Sequence, residues 1–523
     1  MVQVEGMDME NGSQRSISAY SEEYDDDGHL RRTGNTWTAS AHVITAVMGS
    51  GVLSLAWSIA QMGWIAGPIT LVFFAFVTYY TSFLLADCYR SPDPITGKRN
   101  YTYMDAVKAN LGPTQQWLCA FTQYTNLWAT AVGYTVTAST SMVAIKRSDC
   151  FHSSEYNSPC HISNNPYMIT FGVFQIIFSQ IPDFHRIWWL SIVAAVMSLS
   201  YSSIGLGLGI GKAFESGPVS NGTIGGISIG HGSDDFFRGT KVWQGFQALG
   251  NIAFAYSFSA ILIEIQDTLK TPPPENKTMK RATLIGVSTT TFFYMTIGCV
   301  GYAAFGNNAP GNLLTGFGFY SPYWLINFAN ACIVVHLVGA YQVFSQPIFA
   351  VFESWIGKRQ PHSRFIHNDH VMIVPFYGAL SVNLFRLVWR TAFVFSTTIF
   401  AMLFPFFNDI VGLIGAYGFW PLTVYFPVAM YIHQQNIRRW STKWVWLQIL
   451  SLISLLVSIV AALGSVEGIY QDLKHYTPFK TKYCGGEGPC SRAFRPGRSA
   501  PEGRSSRVPL RRHIPQAGGP TLP

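Results

Sequence analysis

The sequence predicts an all-α polytopic membrane protein, and three observations support this fold class. Of the 523 residues, only 12% are charged, about half of the roughly 25% usual in soluble proteins. Hydrophobic residues make up 49% of the chain and aromatic residues 15%. The apolar residues gather in blocks of about twenty, the length at which a helix crosses a hydrocarbon core. This composition excludes an ordinary globular enzyme, a disordered protein and a small disulfide-stapled secreted domain.

Eleven apolar blocks predict eleven transmembrane helices, and the regions around them predict four segments. The blocks cover 36–63, 64–86, 114–145, 167–181, 187–210, 241–266, 283–305, 323–352, 387–407, 410–432 and 444–466. Residues 1–35 are polar and acidic, which predicts a disordered cytosolic tail with no removable signal peptide. Residues 36–466 form the transporter domain. We expect 467–483 to be extracellular and 484–523, rich in Arg, Pro and Gly, to be disordered.

The basic residues predict the orientation of the chain in the membrane. With the N-terminus in the cytosol, the inner segments hold twenty Lys and Arg, against eight in the outer segments up to Tyr483. Cytosolic loops carry an excess of Lys and Arg, so we expect a cytosolic N-terminus and an extracellular C-terminus. Of the net charge of +8, +5 falls in 484–523. Without a basic face lined by aromatics, we expect no nucleic-acid partner.

Two features of the predicted outer loops fit this orientation. Cys150 and Cys160 are a close cysteine pair, and the oxidising exterior would permit a disulfide there; two free thiols are the alternative. Asn221 begins an N-x-S/T glycosylation sequon in another outer loop. An unused sequon is the alternative for Asn221.

The first and sixth blocks each contain a run that disfavours a continuous helix. Gly49-Ser50-Gly51 lies near the middle of the first block, and the small and hydroxyl residues of 251–260 lie in the sixth. Unpaired backbone groups in hydrocarbon survive only where they line a cavity or meet a partner. We therefore predict an unwound hinge with a half-helix starting near Val52, whose amides suit a carboxylate. Close packing through small residues is the alternative.

The spacing of the two interruptions predicts an internal repeat. They lie five spans apart in helices that cross the membrane in opposite directions, which is typical of inverted five-helix repeats with a binding site at mid-membrane. The third block adds a polar stripe within one sector of its helix, formed by Gln123, Asn126, Thr130, Tyr134 and Thr137. This stripe lines either a cavity or a helix–helix hydrogen-bonded contact.

Ionisable residues inside membrane spans are candidates for function. His42 precedes the first interruption by seven residues, and His336 lies near the middle of the eighth block. Because histidine changes charge near neutral pH, either could carry a coupling proton; a neutral histidine bonded to backbone is the alternative. Glu264 either gates the inner mouth or pairs with Lys or Arg at the interface. We expect Arg390 to extend toward cytosolic water.

The sequence contains no metal-ligand cluster and no nucleotide-binding motif with the required spacing. The interpretation is therefore a non-enzyme without a cofactor, which uses an ion gradient. The lipid bilayer is its environment, and the sequence does not indicate an oligomeric state.

Four segments are similar to plant amino acid permeases of the amino acid/auxin permease family, in the amino acid-polyamine-organocation superfamily. They cover 33–57, 252–257, 264–269 and 336–344. The resemblance implies a proton-coupled importer of neutral and some acidic amino acids at the plasma membrane. It also implies a leucine-transporter-type core of five plus five helices and one more, with protons as the coupling ion. His42 and His336 match histidines associated with transport in that family.

The resemblance has two departures. Asn251 stands where several relatives carry Asp, which puts a proton-coupling role at that position in doubt. The tail after Tyr483 extends beyond the point where family members usually end.

The predicted substrate site lies between the two interruptions and the third helix. The carboxylate meets the amides of 50–52, the ammonium meets freed carbonyls, and the side chain lies against Phe254. The predicted substrate-binding residues are Thr45, Gly49, Ser50, Gly51, Val52, Asn126, Phe254, Ala255, Tyr256 and Ser257. An auxin or organic-acid carrier is one alternative, and a nutrient receptor or channel without coupled transport is another.

Overall fold

The computed structural model describes Asp25, 27–28, 31–153, 162–180, 188–215, 222–226, 240–318, 322–374 and 378–475. Helices dominate this part of the chain. The long helices are α1 Thr36–Val47, α2 Leu55–Asp87, α4 Pro113–Ser153, α5 Asn165–Ser179, α6 Trp188–Glu215, α7 Thr240–Ala255, α9 Glu275–Phe305, α11 Tyr323–Arg359, α13 Leu384–Leu403, α14 Phe407–Gly418 and α16 Thr442–His475. The shorter ones are α3 Tyr103–Leu111, α8 Leu262–Gln266, α10 Leu313–Gly316, α12 Arg364–His367 and α15 Phe426–Gln434.

Eight helices in the described ranges are long and apolar enough to cross a membrane. One of them, Ser50–Asp87, contains the predicted boundary between the first two blocks. Gly63 has non-helical dihedrals there, with φ +83°, a conformation that favours glycine. A Cβ on Gly63 would also collide with the backbone of Ile224 and Gly226. The chain therefore turns at the residue where the first predicted block ends.

The exterior of these helices is apolar. Helix α16 exposes Leu452, Leu456 and Leu463, and α2 exposes Ile65 and Ile69. Large apolar patches on a soluble monomer are uncommon. Together with helix length, this surface places the chain in a bilayer as a multi-pass membrane protein.

The helices of the interior form two groups that pack against each other. In one group α9 packs against α1, α2 and α6; in the other α7 packs against α14 and α16. Helix α11 contacts both α4 and α6. Glycines allow the closest approach, because a Cβ on Gly250 would collide with the backbone of Gly412. This packing brings residues 50–54, which follow α1, and the start of α2 against α7 in the centre.

Within the described residues, two short antiparallel hairpins lie between the helices. The first pairs β1 Arg90–Ser91 with β2 Lys98–Arg99, and the second pairs β3 Asp369–Val374 with β4 Gly378–Asn383. The sequence predicted connecting loops at both places. The first hairpin follows α2 and the second follows the short helix α12, and both lie between predicted spans.

Several predicted features fall at the edge of the described ranges. Cys150 is disulfide-bonded, whereas Cys160 lies outside the described residues, so their pairing stays a prediction. Asn221 and most of residues 1–35 also lie outside. The chain divides into two units, Met1–Lys482 and Tyr483–Pro523, and the second lies wholly outside the described residues.

Candidate functional site

The first break separates α1 from a 3-10 turn. Helix α1 ends at Val47, Met48 and Gly49 leave the helical conformation, and the turn Ser50–Ser54 leads into α2. Glycine and serine are weak helix formers, which explains why the helix ends in this run. The predicted half-helix thus begins as a 3-10 turn slightly before Val52. Its first N–H groups have no carbonyl within the helix to bond.

The second break separates α7 from α8. Helix α7 ends at Ala255, Tyr256–Phe258 are non-helical, and a 3-10 turn at Ser259–Ile261 precedes α8. The Ser257 N–H donates to the Phe254 carbonyl at 3.0 Å. Both predicted interruptions are therefore present as breaks in the backbone.

The two breaks touch each other at Gly51. A Cβ on Gly51 would lie 2.8 Å from Ala255 Cα and 3.0 Å from Ala255 Cβ. Real Cβ atoms do not approach a backbone carbon this closely, because interiors are close-packed. Only glycine fits at position 51, so the two breaks form one compact centre.

Two tyrosine hydroxyls donate hydrogen bonds to backbone carbonyls at the two breaks. Tyr201 of α6 donates toward the carbonyls of Met48 at 2.8 Å and Gly49 at 3.0 Å. Tyr294 of α9 donates toward the carbonyl of Val47 and, at 2.9 Å, that of Ala255. A phenol carries one proton, so four carbonyl oxygens share two hydroxyl protons. The Val47 oxygen also accepts from the Gly49 N–H at 2.8 Å, and the oxygens of Met48, Gly49 and Ala255 retain capacity to accept hydrogen bonds from a ligand.

Tyr201 and Tyr294 were not among the predicted site residues. Both are fully or almost fully buried, and a buried tyrosine hydroxyl normally has a hydrogen-bond partner. A tyrosine inside an apolar block was therefore the available signal. The sequence did not show which carbonyls their hydroxyls would meet.

Some predicted substrate residues lie at the breaks, and others are engaged elsewhere. Gly49, Ser50, Gly51, Val52, Ala255, Tyr256 and Ser257 belong to the two breaks. Ser50 Oγ is buried, and no hydrogen-bond partner is present among the described residues. The Tyr256 ring lies edge-on to that of Tyr294, with centroids 5.2 Å apart.

The other three predicted residues contact neighbouring helices. The hydroxyl of Thr45 donates to the carbonyl of Ser191 in α6 at 2.8 Å. The amide of Asn126 donates to the carbonyl of Ile414 in α14 at 3.1 Å. Phe254 packs through its backbone against Gly415 of α14. For Thr45, Asn126 and Phe254 a role in binding stays a prediction.

The two histidines differ in their relation to the breaks. His336 is 0% exposed, and its Nδ1 lies 2.9 Å from the carbonyl of Ala194. Because a carbonyl only accepts, Nδ1 carries the proton and Nε2 is the basic nitrogen. The ring lies edge-on to that of Tyr201, with centroids 5.7 Å apart, so His336 contacts the side chain that serves the first break. His42 is 2% exposed and lies on α1.

An ionic latch lies at the end of the protein that the sequence predicts to be cytosolic. We define the latch as Arg32, Asp267 and the backbone pairing between Gly34 and 268–270. Arg32 is 3% exposed and bonds both the carboxylate of Asp267 at 2.8 Å and its carbonyl at 2.7 Å. Gly34 accepts from the Lys270 N–H at 3.0 Å and donates to the Thr268 carbonyl at 2.9 Å. The segment before α1 is thus tied to the segment after α8.

Tyr89 adds a neutral donor to the latch. Its hydroxyl donates to Asp267 at 2.7 Å. Burial, followed by the nearby Asp267 carboxylate, raises the pKa of Tyr89 far above the usual tyrosine value. The hydroxyl therefore stays protonated and keeps donating at all physiological pH values.

These features define a polytopic helical membrane transporter fold centred on two broken helices. The chain belongs to the transmembrane amino acid transporter protein family, whose model matches residues 32–471. Amino acid permease 3 of Arabidopsis thaliana is 61% identical over 88% of this chain and 95% of the relative. Amino acid permease 1 of the same plant is 55% identical over 91% and 97%. The resemblance to plant amino acid permeases is confirmed.

Solved structures share the fold at low identity. A nucleobase-cation-symport-1 family transporter, closed with bromovinylhydantoin bound, matches with a TM-score of 0.50 and 12% identity, over 86% of this chain and 95% of that one. MhsT in complex with L-phenylalanine matches with a TM-score of 0.50 and 9% identity, over 84% and 100%. At these identities the likeness concerns the fold alone.

Proposed function

We propose that this chain is a proton-coupled amino acid symporter that imports neutral and some acidic amino acids across the plasma membrane. The observation that carries the proposal is the pair of touching breaks, where four carbonyl oxygens share two hydroxyl protons. An ammonium group brings three donors and no acceptor, which complements such a site. The family membership and the permease names of the relatives support the substrate class.

The carboxylate of the substrate would bind the N–H groups of the first break, whereas the ammonium group would bind its carbonyls. The N–H groups that open the 3-10 turn at Ser50 lie at a helix N-terminus, where the dipole favours an anion. Ser50 Oγ adds a buried hydroxyl without a described partner. A zwitterion would then lie between α1 and α7, with both of its charges met by backbone groups.

The architecture we propose has eleven spans arranged as five plus five inverted and one more. Its N-terminus is cytosolic and its C-terminus extracellular. The spans combine described elements as follows: α1 with 50–62, then 64–87, α4, α5, α6, α7 with α8, α9, α11, α13, α14 with α15, and α16. The two breaks then fall in the first and sixth spans, which run in opposite directions.

The two histidines would couple proton movement to substrate transport. His336 has a basic Nε2 that lacks a hydrogen-bond partner among the described residues, and it contacts Tyr201. Protonation of His336 can therefore act on the first break through Tyr201. His42 lies on α1 between the break and the latch.

Proton coupling predicts an inward current when amino acid is added without sodium. We would express the chain in oocytes or in transport-deficient yeast and vary the external pH over a panel of amino acids. Uptake should rise as the external pH falls, and a protonophore should abolish accumulation. A strict sodium requirement, or equilibration without accumulation, would contradict the proposal.

Replacing Tyr294 with phenylalanine tests the shared hydroxyl. The carbonyls of Val47 and Ala255 would lose a donor, which costs about 1–3 kcal/mol, and uptake should fall about tenfold or more. A bound ammonium group supplies the missing donor. We therefore expect substrate to raise the melting temperature of purified Tyr294→Phe more than that of wild type.

Tyr302→Phe is the matched control, because its hydroxyl bonds Asn307 and Thr223 away from the breaks. Equal substrate-induced shifts in wild type and both variants would contradict ammonium binding at these carbonyls.

A further inference from the structure

Glu264 of α8 holds three elements together beside the second break. Its Oε1 accepts from the backbone N–H of Tyr103, the first residue of α3, at 3.1 Å. It also accepts from Nε2 of Gln123 in α4 at 3.0 Å. The same Nε2 donates to the carbonyl of Ala260 at 2.6 Å, in the 3-10 turn that follows the break. Gln123 thus connects Glu264 to the turn beside the substrate site.

Among the described residues, Glu264 has no positively charged partner, whereas its neighbours Asp267 and Glu275 do. Asp267 pairs with Arg32, and Glu275 pairs with Arg90. No Lys, Arg or His in the described part of the chain forms an ion pair with Glu264. The sequence-based alternative of a cationic partner is therefore not realised within that part.

The titratable groups that act on Glu264 supply no positive charge. They are Tyr103 and Asp105 on the α3 side, and Cys119 and Tyr124 on α4. Helices α1, α2 and α9 also pack against α8, and they place no described cation in contact with the carboxyl. A carboxylate here would be a buried charge with two hydrogen bonds to Oε1 and no described cation beside it, which is costly.

The hydrogen-bond network around Glu264 contains two acceptor atoms without a described donor. Both Oε2 of Glu264 and Oε1 of Gln123 are buried, and neither has a hydrogen-bond partner among the described residues. The orientation of the Gln123 amide is fixed, because Ala260 offers only a carbonyl to it. Two acceptors, one on each of two hydrogen-bonded side chains, therefore lack a described donor. A proton on Oε2 would remove the charge and supply a donor.

We propose that Glu264 is a proton-binding site of the transport cycle, rests protonated while the cytosolic side is closed, and releases its proton when α8 parts from α3. The proposal rests on the proposed function of proton-coupled import. On release, the O–H bond at Oε2 breaks and the proton passes to cytosolic water. The resulting carboxylate is then solvated, which favours the open state. Once the cytosolic side has closed, a proton from the outside binds Oε2 again, so each cycle carries one proton inward.

Glu264→Gln tests the proposal, because it fixes a neutral side chain of the same shape. We would load proteoliposomes or cells and measure two activities. Exchange of internal for external amino acid needs no net proton movement and should persist. Net accumulation driven by a pH gradient should fall about tenfold or more, together with the proton current. Glu264→Asp should restore part of the current.

Glu215→Gln is the matched control, since Glu215 is exposed at the end of α6; both activities should match wild type. Gln123→Leu is the second variant, for the case that Glu264→Gln fails to reach the membrane. It removes a donor to the charged form, which favours the neutral acid, so the pH profile of uptake should shift to higher pH.

Three results would overturn the inference: coupled accumulation intact in Glu264→Gln, loss of exchange together with accumulation, or an unshifted pH profile in Gln123→Leu. A wild-type protein that carries no proton current would overturn the proposed function itself. One set of measurements therefore distinguishes failure of the Glu264 inference from failure of the proposed function.

Discussion

Replacing Gly51 with valine is expected to abolish amino acid uptake while the protein still reaches the cell surface. The first side-chain carbon would lie 2.8 Å from Ala255 Cα, and a backbone atom cannot rotate away as a side chain can. Overpacking of this kind costs about 1–3 kcal/mol. The cost falls on the contact between the two breaks, where the substrate would bind. Uptake and surface labelling of the same cells measure the two expectations.

Gly207→Val is the matched control, because a Cβ on Gly207 of α6 would meet no atom within 4 Å. Gly51→Ala combined with Ala255→Gly sharpens the test. The second change removes the 3.0 Å contact with Ala255 Cβ but leaves the 2.8 Å contact with Cα, so we expect only partial rescue. Normal uptake by Gly51→Val would mean that the breaks can separate without loss of function.

The breaks themselves were predictable from the sequence, because they depend on local properties. Gly49 and Gly51 interrupt an apolar run, and Gly63 marks the end of the first block. Helix propensity and backbone conformation act within a few residues, so a sequence displays them. Fold class and helix positions follow from the same short-range information together with hydropathy.

The partners of buried polar groups were less predictable, because they depend on helix–helix packing. The sequence left open whether the stripe of α4 lines a cavity or a helix–helix contact, and only the structure shows that Asn126 meets α14 while Gln123 meets Glu264. Arg390 was expected to extend toward water, and this expectation is wrong. It is 1% exposed and forms a paired interaction with Glu353 at 2.7 and 3.0 Å. Glu353 lies thirty-seven residues earlier, a separation that no local pattern reveals.

Replacing Arg32 with alanine is expected to shift the protein toward a state open on the latch side. Arg32 is buried against Asp267, and removal of one partner of a buried ion pair costs about 3–5 kcal/mol. Asp267 is 18% exposed, so we expect the lower end of that range, about 3 kcal/mol, or about a hundredfold in the closed-to-open ratio. Concentrative uptake should fall and efflux of preloaded amino acid should rise.

A cysteine at Ser40 reports the opening directly. Ser40 is buried on α1 and faces the Ala282 carbonyl of α9 at 3.5 Å, so a thiol there becomes reactive only when α1 parts from α9. Native Cys88, Cys119 and Cys332 are buried and Cys299 is half-buried, so labelling of the protein without the Ser40 cysteine is subtracted as background. Lys212→Ala is the control, because the Lys212–Glu215 pair is exposed, and such pairs contribute little.

Asp267→Ala added to Arg32→Ala should have less than the summed effect, as expected for residues that act as a pair. Labelling that stays slow in Arg32→Ala, with uptake unchanged, would show that the backbone pairing at Gly34 closes this side without the ion pair.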